Sequence, residues 1–139
     1  FFTHPGDFLI IHDWKRPWRI TGNSSVYRFK LGAFPGLMPY FREHFDEIRQ
    51  KFRNEQAYLS WYVDQEKKLS YWPDSWCKSY KYHCLQKIPL AYFKPPVKPE
   101  GAKIIVFHGE INPPDAVNGG GGKWYRYVLP SQWIKDAWQ

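Results

Sequence analysis

Unbroken apolar runs occur at Phe8-Leu9-Ile10-Ile11, ended by His12-Asp13-Trp14, and at Ile104-Ile105-Val106-Phe107, ended by His108-Gly109. Short runs without alternation predict strands buried on both faces, the usual state of inner strands in an α/β sheet. Residues 26–31 alternate apolar with polar in their latter half, which predicts a third strand with one face less buried. Over 37–53, Leu37, Met38, Phe41, Phe45, Ile48 and Phe52 recur at helical spacing, with Arg42, Glu43, Glu47, Arg49 and Gln50 between them. That period predicts one amphipathic helix. A second helix is expected after Asn54, a good N-cap, with Tyr58, Leu59, Tyr62 and Val63 on one face and an end near residue 67.

Further along, Pro73-Asp74 marks a turn and 76–82 reads as a strand. Pro89, Pro95, Pro96 and Pro99 fall within 85–101, so neither a helix nor an inner strand can persist there and an extended surface connection is expected. The four glycines at 119–122 predict a loop that is mobile until a ligand orders it. Ser131 is a candidate N-cap for a short helix carrying Trp133, Ile134 and Trp138. No repeat is evident, and 1–139 reads as a single, partial domain.

Composition sharpens this picture in three respects. With 8 Trp, 10 Tyr and 10 Phe among 139 residues, the chain has the means to build a core, and disorder throughout is not expected. The net charge of +7 favours an anionic partner without choosing one. Cys77 and Cys84 would lie about 23 Å apart in one strand, too far for a disulfide. Free thiols, a reducing compartment and a cytoplasmic location are therefore expected. No apolar stretch reaches the roughly 20 residues needed to span a bilayer, so no membrane-spanning segment is expected. The opening Phe1-Phe2, in place of methionine, reads as a fragment or a processed product.

Ligands of open α/β sheets bind outside the carboxyl ends of the strands. Both buried runs end there in a histidine, so His12, Asp13 and His108 could offer ligands to a divalent metal if their strands are neighbours; otherwise they are ordinary polar strand ends. Gly22-Asn23-Ser24-Ser25 offers small hydrogen-bonding groups suited to sugar hydroxyls, or is simply a turn. Glu55, in the first turn of the second helix, is equally well explained by the helix dipole. Trp14, Trp18, Trp72 and Trp124, near turns or glycines, are the candidate platforms for stacking on a sugar or base.

Taken in order, these segments resemble nucleotide-sugar glycosyltransferases of the A-type fold. The resemblance is to the glycogenin and galactinol-synthase type, and more closely to a bacterial group of predicted glycosyltransferases. It rests on Phe107-His108-Gly109 followed by Pro113, on Gly22-Asn23-Ser24-Ser25, on Asn54-Glu55-Gln56-Ala57-Tyr58-Leu59, and on Tyr71-Trp72-Pro73-Asp74 with Trp76-Cys77 and Ser79-Tyr80-Lys81. It implies the C-terminal half of an A-type glycosyltransferase fold, a mixed sheet with packed helices. Asn23, Ser24 and Asp13 would meet the donor sugar, with Glu55 and Gln56 as catalytic residues on the sugar side. His108 would hold manganese, and Gly109 would let the backbone approach the donor diphosphate. The family's Lys-Pro-Trp is replaced by Ile111-Asn112-Pro113-Pro114, which leaves Lys123 as the candidate phosphate ligand.

The family's Asp-x-Asp pair does not occur in the 139 residues, and the resemblance places it just upstream of Phe1. The intact enzyme would transfer a sugar from a nucleotide-diphosphate donor to an acceptor hydroxyl on a glycan or another molecule, the shorter chain being inactive. A carbohydrate-binding module without chemistry is the main rival. A nucleic-acid-binding domain is disfavoured because the basic residues are scattered and no such motif is present.

Overall fold

A computed structural model describes residues 1–120 and 127–138. The chain is mixed α/β and forms two compact units, Phe1–Asp74 and Ser75–Gln139.

In the first unit β1 (Phe8–His12) is the middle strand of three. It pairs antiparallel with β2 (Gly22–Phe29) and parallel with β3 (Leu69–Tyr71). Phe8, Leu9, Ile10 and Ile11 are all buried, as expected of a strand covered on both faces. Phe8, Ile10 and Val63 form the core, against which Phe34, Leu59, Tyr62, Leu69 and Tyr71 pack. Each apolar side chain buried there contributes about 1.5–3 kcal/mol relative to exposure.

Gly22-Asn23-Ser24-Ser25 is part of β2, not a free-standing turn. The register runs Ile10↔Tyr27 and then Ile11↔Asn23, so a bulge separates the two stretches. The Asn23 side-chain oxygen accepts from the Ser25 amide at 2.9 Å, a turn-like bond that bends the strand from within. Residue types that favour turns are thus accommodated inside a strand.

The helix expected over 37–53 is interrupted. α1 (Leu37–Glu43) and α2 (Phe45–Lys51) meet at His44, whose backbone leaves helical geometry at φ −111°, ψ 29°. The His44 ring stacks on Tyr40 at 4.2 Å, and its Nδ1–H donates to the Tyr40 carbonyl at 3.2 Å. The same carbonyl also accepts the helical bond from the His44 amide at 3.0 Å. α1 has no buried residue to hold the two segments in line. α3 (Glu55–Gln65) starts where expected, with Asn54 accepting from the Ala57 amide at 3.1 Å.

The second unit has a two-stranded parallel sheet, β4 (Cys77–Ser79) with β5 (Ile104–Val106). β5 is not buried on both faces; only Val106 is fully covered. The strand expected over 76–82 stops at Ser79, and Tyr80–Cys84 coils into one wide π-helical turn. Ser79 Oγ accepts from the Tyr82 amide, and the Ser79 amide donates to His83 Nδ1 at 3.0 Å. These bonds draw the backbone away from the ladder.

The connection over 85–101 holds no α-helix or strand, as expected, but it is not extended throughout: turns and bends and a short 3-10 helix, Leu90–Tyr92, interrupt it, and Ala91 and Pro96 are buried. α4 (Pro113–Asn118) and α5 (Gln132–Ala137) complete the unit, α5 following Ser131 as expected. Tyr80, Cys84, Ala116, Val128 and Ile134 form its core, with the Tyr80 and Phe107 rings stacked at 4.5 Å. Both cysteines are buried, and neither is in a disulfide.

The first half of the glycine run is anchored. Gly119 ends α4 at φ +77°, where a Cβ would meet Pro130 Cδ at 2.7 Å, and Gly120 exchanges two backbone bonds with Val128. Gly121, Gly122, Lys123 and Trp124 lie outside the described residues. Among those described, no helix is long and apolar enough to cross a membrane.

Candidate functional site

The bulge in β2 brings the first group of candidate residues to one edge of the sheet. Pairing of His12 with Gly22 and of Ile11 with Asn23 sets the carboxyl end of β1 beside the start of β2. The N-terminus of α3 reaches the same place. Ser24 Oγ donates to Glu55 Oε1 at 2.9 Å, and the Ser24 amide donates to Gln56 Oε1 at 3.2 Å. Asn23, Ser24, Glu55 and Gln56, from segments about thirty residues apart, thus form one polar cluster.

The cluster rests on a rigid base. The Gly22 amide donates to the buried Ser60 hydroxyl at 2.9 Å, tying β2 to α3 directly beneath it. Glu55 is exposed, while Asn23, Ser24 and Gln56 are half-buried, so their remaining donors and acceptors can be reached from solvent. Asp13 sits one residue beyond β1, where its Oδ1 accepts from the Lys15 amide at 2.9 Å. The His12 ring stacks on Tyr71 at 4.2 Å, and the Tyr71 hydroxyl donates to the Ile20 carbonyl at 2.6 Å. This His12–Tyr71 pair was not anticipated as part of the site; only the parallel register of β1 and β3 reveals it.

Of the tryptophans considered as stacking platforms, Trp72 is unsuitable. It is buried, edge-on to Phe1, and its indole N–H donates to the Val26 carbonyl at 3.2 Å. Trp18 is exposed and Trp14 half-buried.

His108 and Gly109 belong to the second unit, so His12 and His108 end strands of separate sheets and do not share the sheet edge first considered. His108 lines a cleft of about 590 Å³ together with Tyr82, Lys81, Lys87, Glu110 and Tyr127. Its Nε2 lies 2.7 Å from Ser79 Oγ, and Tyr82 is its ring neighbour at 5.3 Å. Gly109 has φ +94°, and among the described residues nothing lies within 4 Å of where a Cβ would stand. Burial and the nearby Lys78 hold the pKa of His83 below its ordinary value. Its Nδ1 accordingly serves as the acceptor for the Ser79 amide.

The manganese implied by the resemblance can be tested against these donors. His108 Nε2 lies at hydrogen-bond distance from the Ser79 hydroxyl. Among the described residues, no three His, Cys, Asp or Glu side chains gather around one point. The described donors therefore do not by themselves make up a metal centre. Compared with protein-family models, curated proteins and solved structures, the chain matches none.

Proposed function

We propose that this chain is the sugar-contacting part of a nucleotide-sugar glycosyltransferase with the A-type fold. The observation that supports this reading is the convergence of Asn23 and Ser24 with Glu55 and Gln56 beyond the carboxyl end of β1. Amide and carboxylate groups held in fixed positions suit the paired donors and acceptors of sugar hydroxyls. Glu55 and Gln56 stand on the rigid first turn of α3, which fixes their reach toward the donor sugar. Asp13 and the His12–Tyr71 stack border the same edge. In this reading the acceptor hydroxyl attacks the anomeric carbon of the donor sugar while the bond from that carbon to the diphosphate oxygen breaks, and the nucleoside diphosphate leaves with that electron pair. Lys123, outside the described residues, is retained only as a proposed phosphate ligand.

Titration of the isotope-labelled chain with a panel of nucleotide-diphosphate sugars, each compared with its nucleotide alone, tests the assignment. Sugar-dependent shifts are expected at Ser24 and Gln56. Glu55→Gln keeps an oxygen acceptor for Ser24 but removes the charge, and should weaken sugar-dependent binding about tenfold, near 1.4 kcal/mol, with unchanged melting. No transfer is expected from the 139-residue chain, which contains no Asp-x-Asp. Sugar-independent binding across the panel, or robust turnover, would overturn the reading. Equal affinity for free glycans would instead favour a carbohydrate-binding module.

A further inference from the structure

Ser79 has no exposed surface, and its hydroxyl lies between two nitrogen groups. The Tyr82 amide N–H, 3.3 Å away, can only donate, so it occupies one acceptor position on Oγ. His108 Nε2, at 2.7 Å, can act as donor or acceptor depending on where the imidazole carries its proton.

The two arrangements are not equivalent. If Nε2–H donated to Oγ, the hydroxyl would accept twice, and its own hydrogen would be buried without an acceptor among the described residues. Leaving a buried donor unmade carries the full desolvation penalty of that group. If the hydroxyl donates to Nε2, its donor and acceptor are both satisfied: Tyr82 N–H to Oγ, and Oγ–H to the imidazole electron pair.

We infer that Ser79 fixes His108 as the neutral imidazole with its proton on Nδ1, so that the Nε2 electron pair of this cleft-lining histidine is held by the hydroxyl and is not offered to a metal ion. Metal-bound histidines need an unprotonated ring nitrogen facing the ion, and their other nitrogen commonly donates its hydrogen to an orienting partner. Here the orienting partner supplies the hydrogen, reversing that polarity. Ser79 is a positioning residue acting through His108. The inference stands on the second unit alone and does not depend on which ligand the first unit takes.

The test is the histidine tautomer in the free 139-residue protein. Long-range proton–nitrogen correlation of 15N-labelled protein, in mildly alkaline buffer where free imidazole is neutral, should show His108 Nε2 as the unprotonated nitrogen and Nδ1 as the protonated one. The reverse pattern overturns the inference. Ser79→Ala should shift His108 toward the Nε2–H form favoured by unrestrained histidine, and an unchanged tautomer in the folded variant would rule out the positioning role. Should the variant not fold, titration of wild type with manganese chloride decides. His108 should broaden no more than His4, His12, His44 and His83, and selective loss of its signals would restore the metal-ligand role. None of these measurements requires sugar binding, so a failure of the transferase reading remains separately visible.

Discussion

Gly22→Ala is expected to destabilise the Phe1–Asp74 unit by about 2–3 kcal/mol, the upper part of the range for forcing an extra methyl into a packed core. A Cβ at Gly22 would stand 2.5 Å from Ile10 Cγ2 and 2.8 Å from both Cγ1 and Cδ1 of the same side chain. Ile10 has no exposed surface and belongs to the core with Phe8 and Val63, so it has little room to withdraw. Displacing β2 instead would stretch the bond from the Gly22 amide to Ser60 and separate Ser24 from Gln56. The substitution should therefore also reduce any ligand response of the polar cluster. Denaturant unfolding measures the first effect, and a double-mutant cycle isolates its cause. In an Ile10→Ala background, itself costly by roughly 2–5 kcal/mol, most of the Gly22→Ala penalty should disappear because the clashing atoms are gone. Equal penalties in both backgrounds would show that the close approach is not the reason.

Raising the pH should destabilise the second unit more steeply than the first. Burial pushes the Cys84 thiol from 9.0 to about 12 and the Cys77 thiol to about 11, and burial likewise raises Tyr80 to about 12. All three are neutral when protonated, and their folded pKa values lie above the unfolded ones. Their contribution is therefore complete below pH 9 and is lost progressively as the pH rises toward 12, because the unfolded chain gives up these protons first. For Cys84 alone, a change from 9.0 to about 12 corresponds to roughly 4 kcal/mol. In the first unit Tyr58, also held near 12 chiefly by burial, starts to contribute to the loss only from about pH 10. Melts across this range, followed by thiol alkylation, should show the cysteines becoming reactive together with unfolding of Ser75–Gln139. Alkylation of either thiol at neutral pH at the rate of a free thiol, without unfolding, would contradict the burial on which the prediction rests.

These features differ in how far the sequence reveals them. The Phe8–Ile11 run announces a strand covered on both faces because its cause, a lack of polar alternation, is local. Asn54 is equally legible, since its capping bond spans only three residues. The break at His44 is not visible in the periodicity: the apolar spacing continues across it, while the interruption lies in the backbone angles of a single residue. Ile104–Val106 has the composition of an inner strand, yet its pairing with β4 alone leaves it half-covered, a matter of topology. At the candidate site, the residue types of Asn23, Ser24, Glu55 and Gln56 suggested a polar ligand, and the resemblance grouped them. The bond between Ser24 and Gln56 depends on how α3 docks on β2, which no spacing encodes. The Ser79–His108 contact joins the ends of two strands by parallel pairing, so nothing in either local segment could signal it.

The position of β1 between its two partners sets an order of assembly. Its antiparallel partner follows about ten to twenty residues later, whereas its parallel partner is about sixty residues away, so the second pairing closes a much longer loop and adds to contact order. As the chain leaves the ribosome, β1 and β2 can join while the other edge of β1 awaits Leu69, Ser70 and Tyr71. During that interval an apolar strand carries unpaired amide and carbonyl groups along one side, which makes it a template for strands of other chains. A nascent chain stalled before Leu69 would hold this edge open, and aggregation there would begin with β1 recruiting a foreign strand in place of β3.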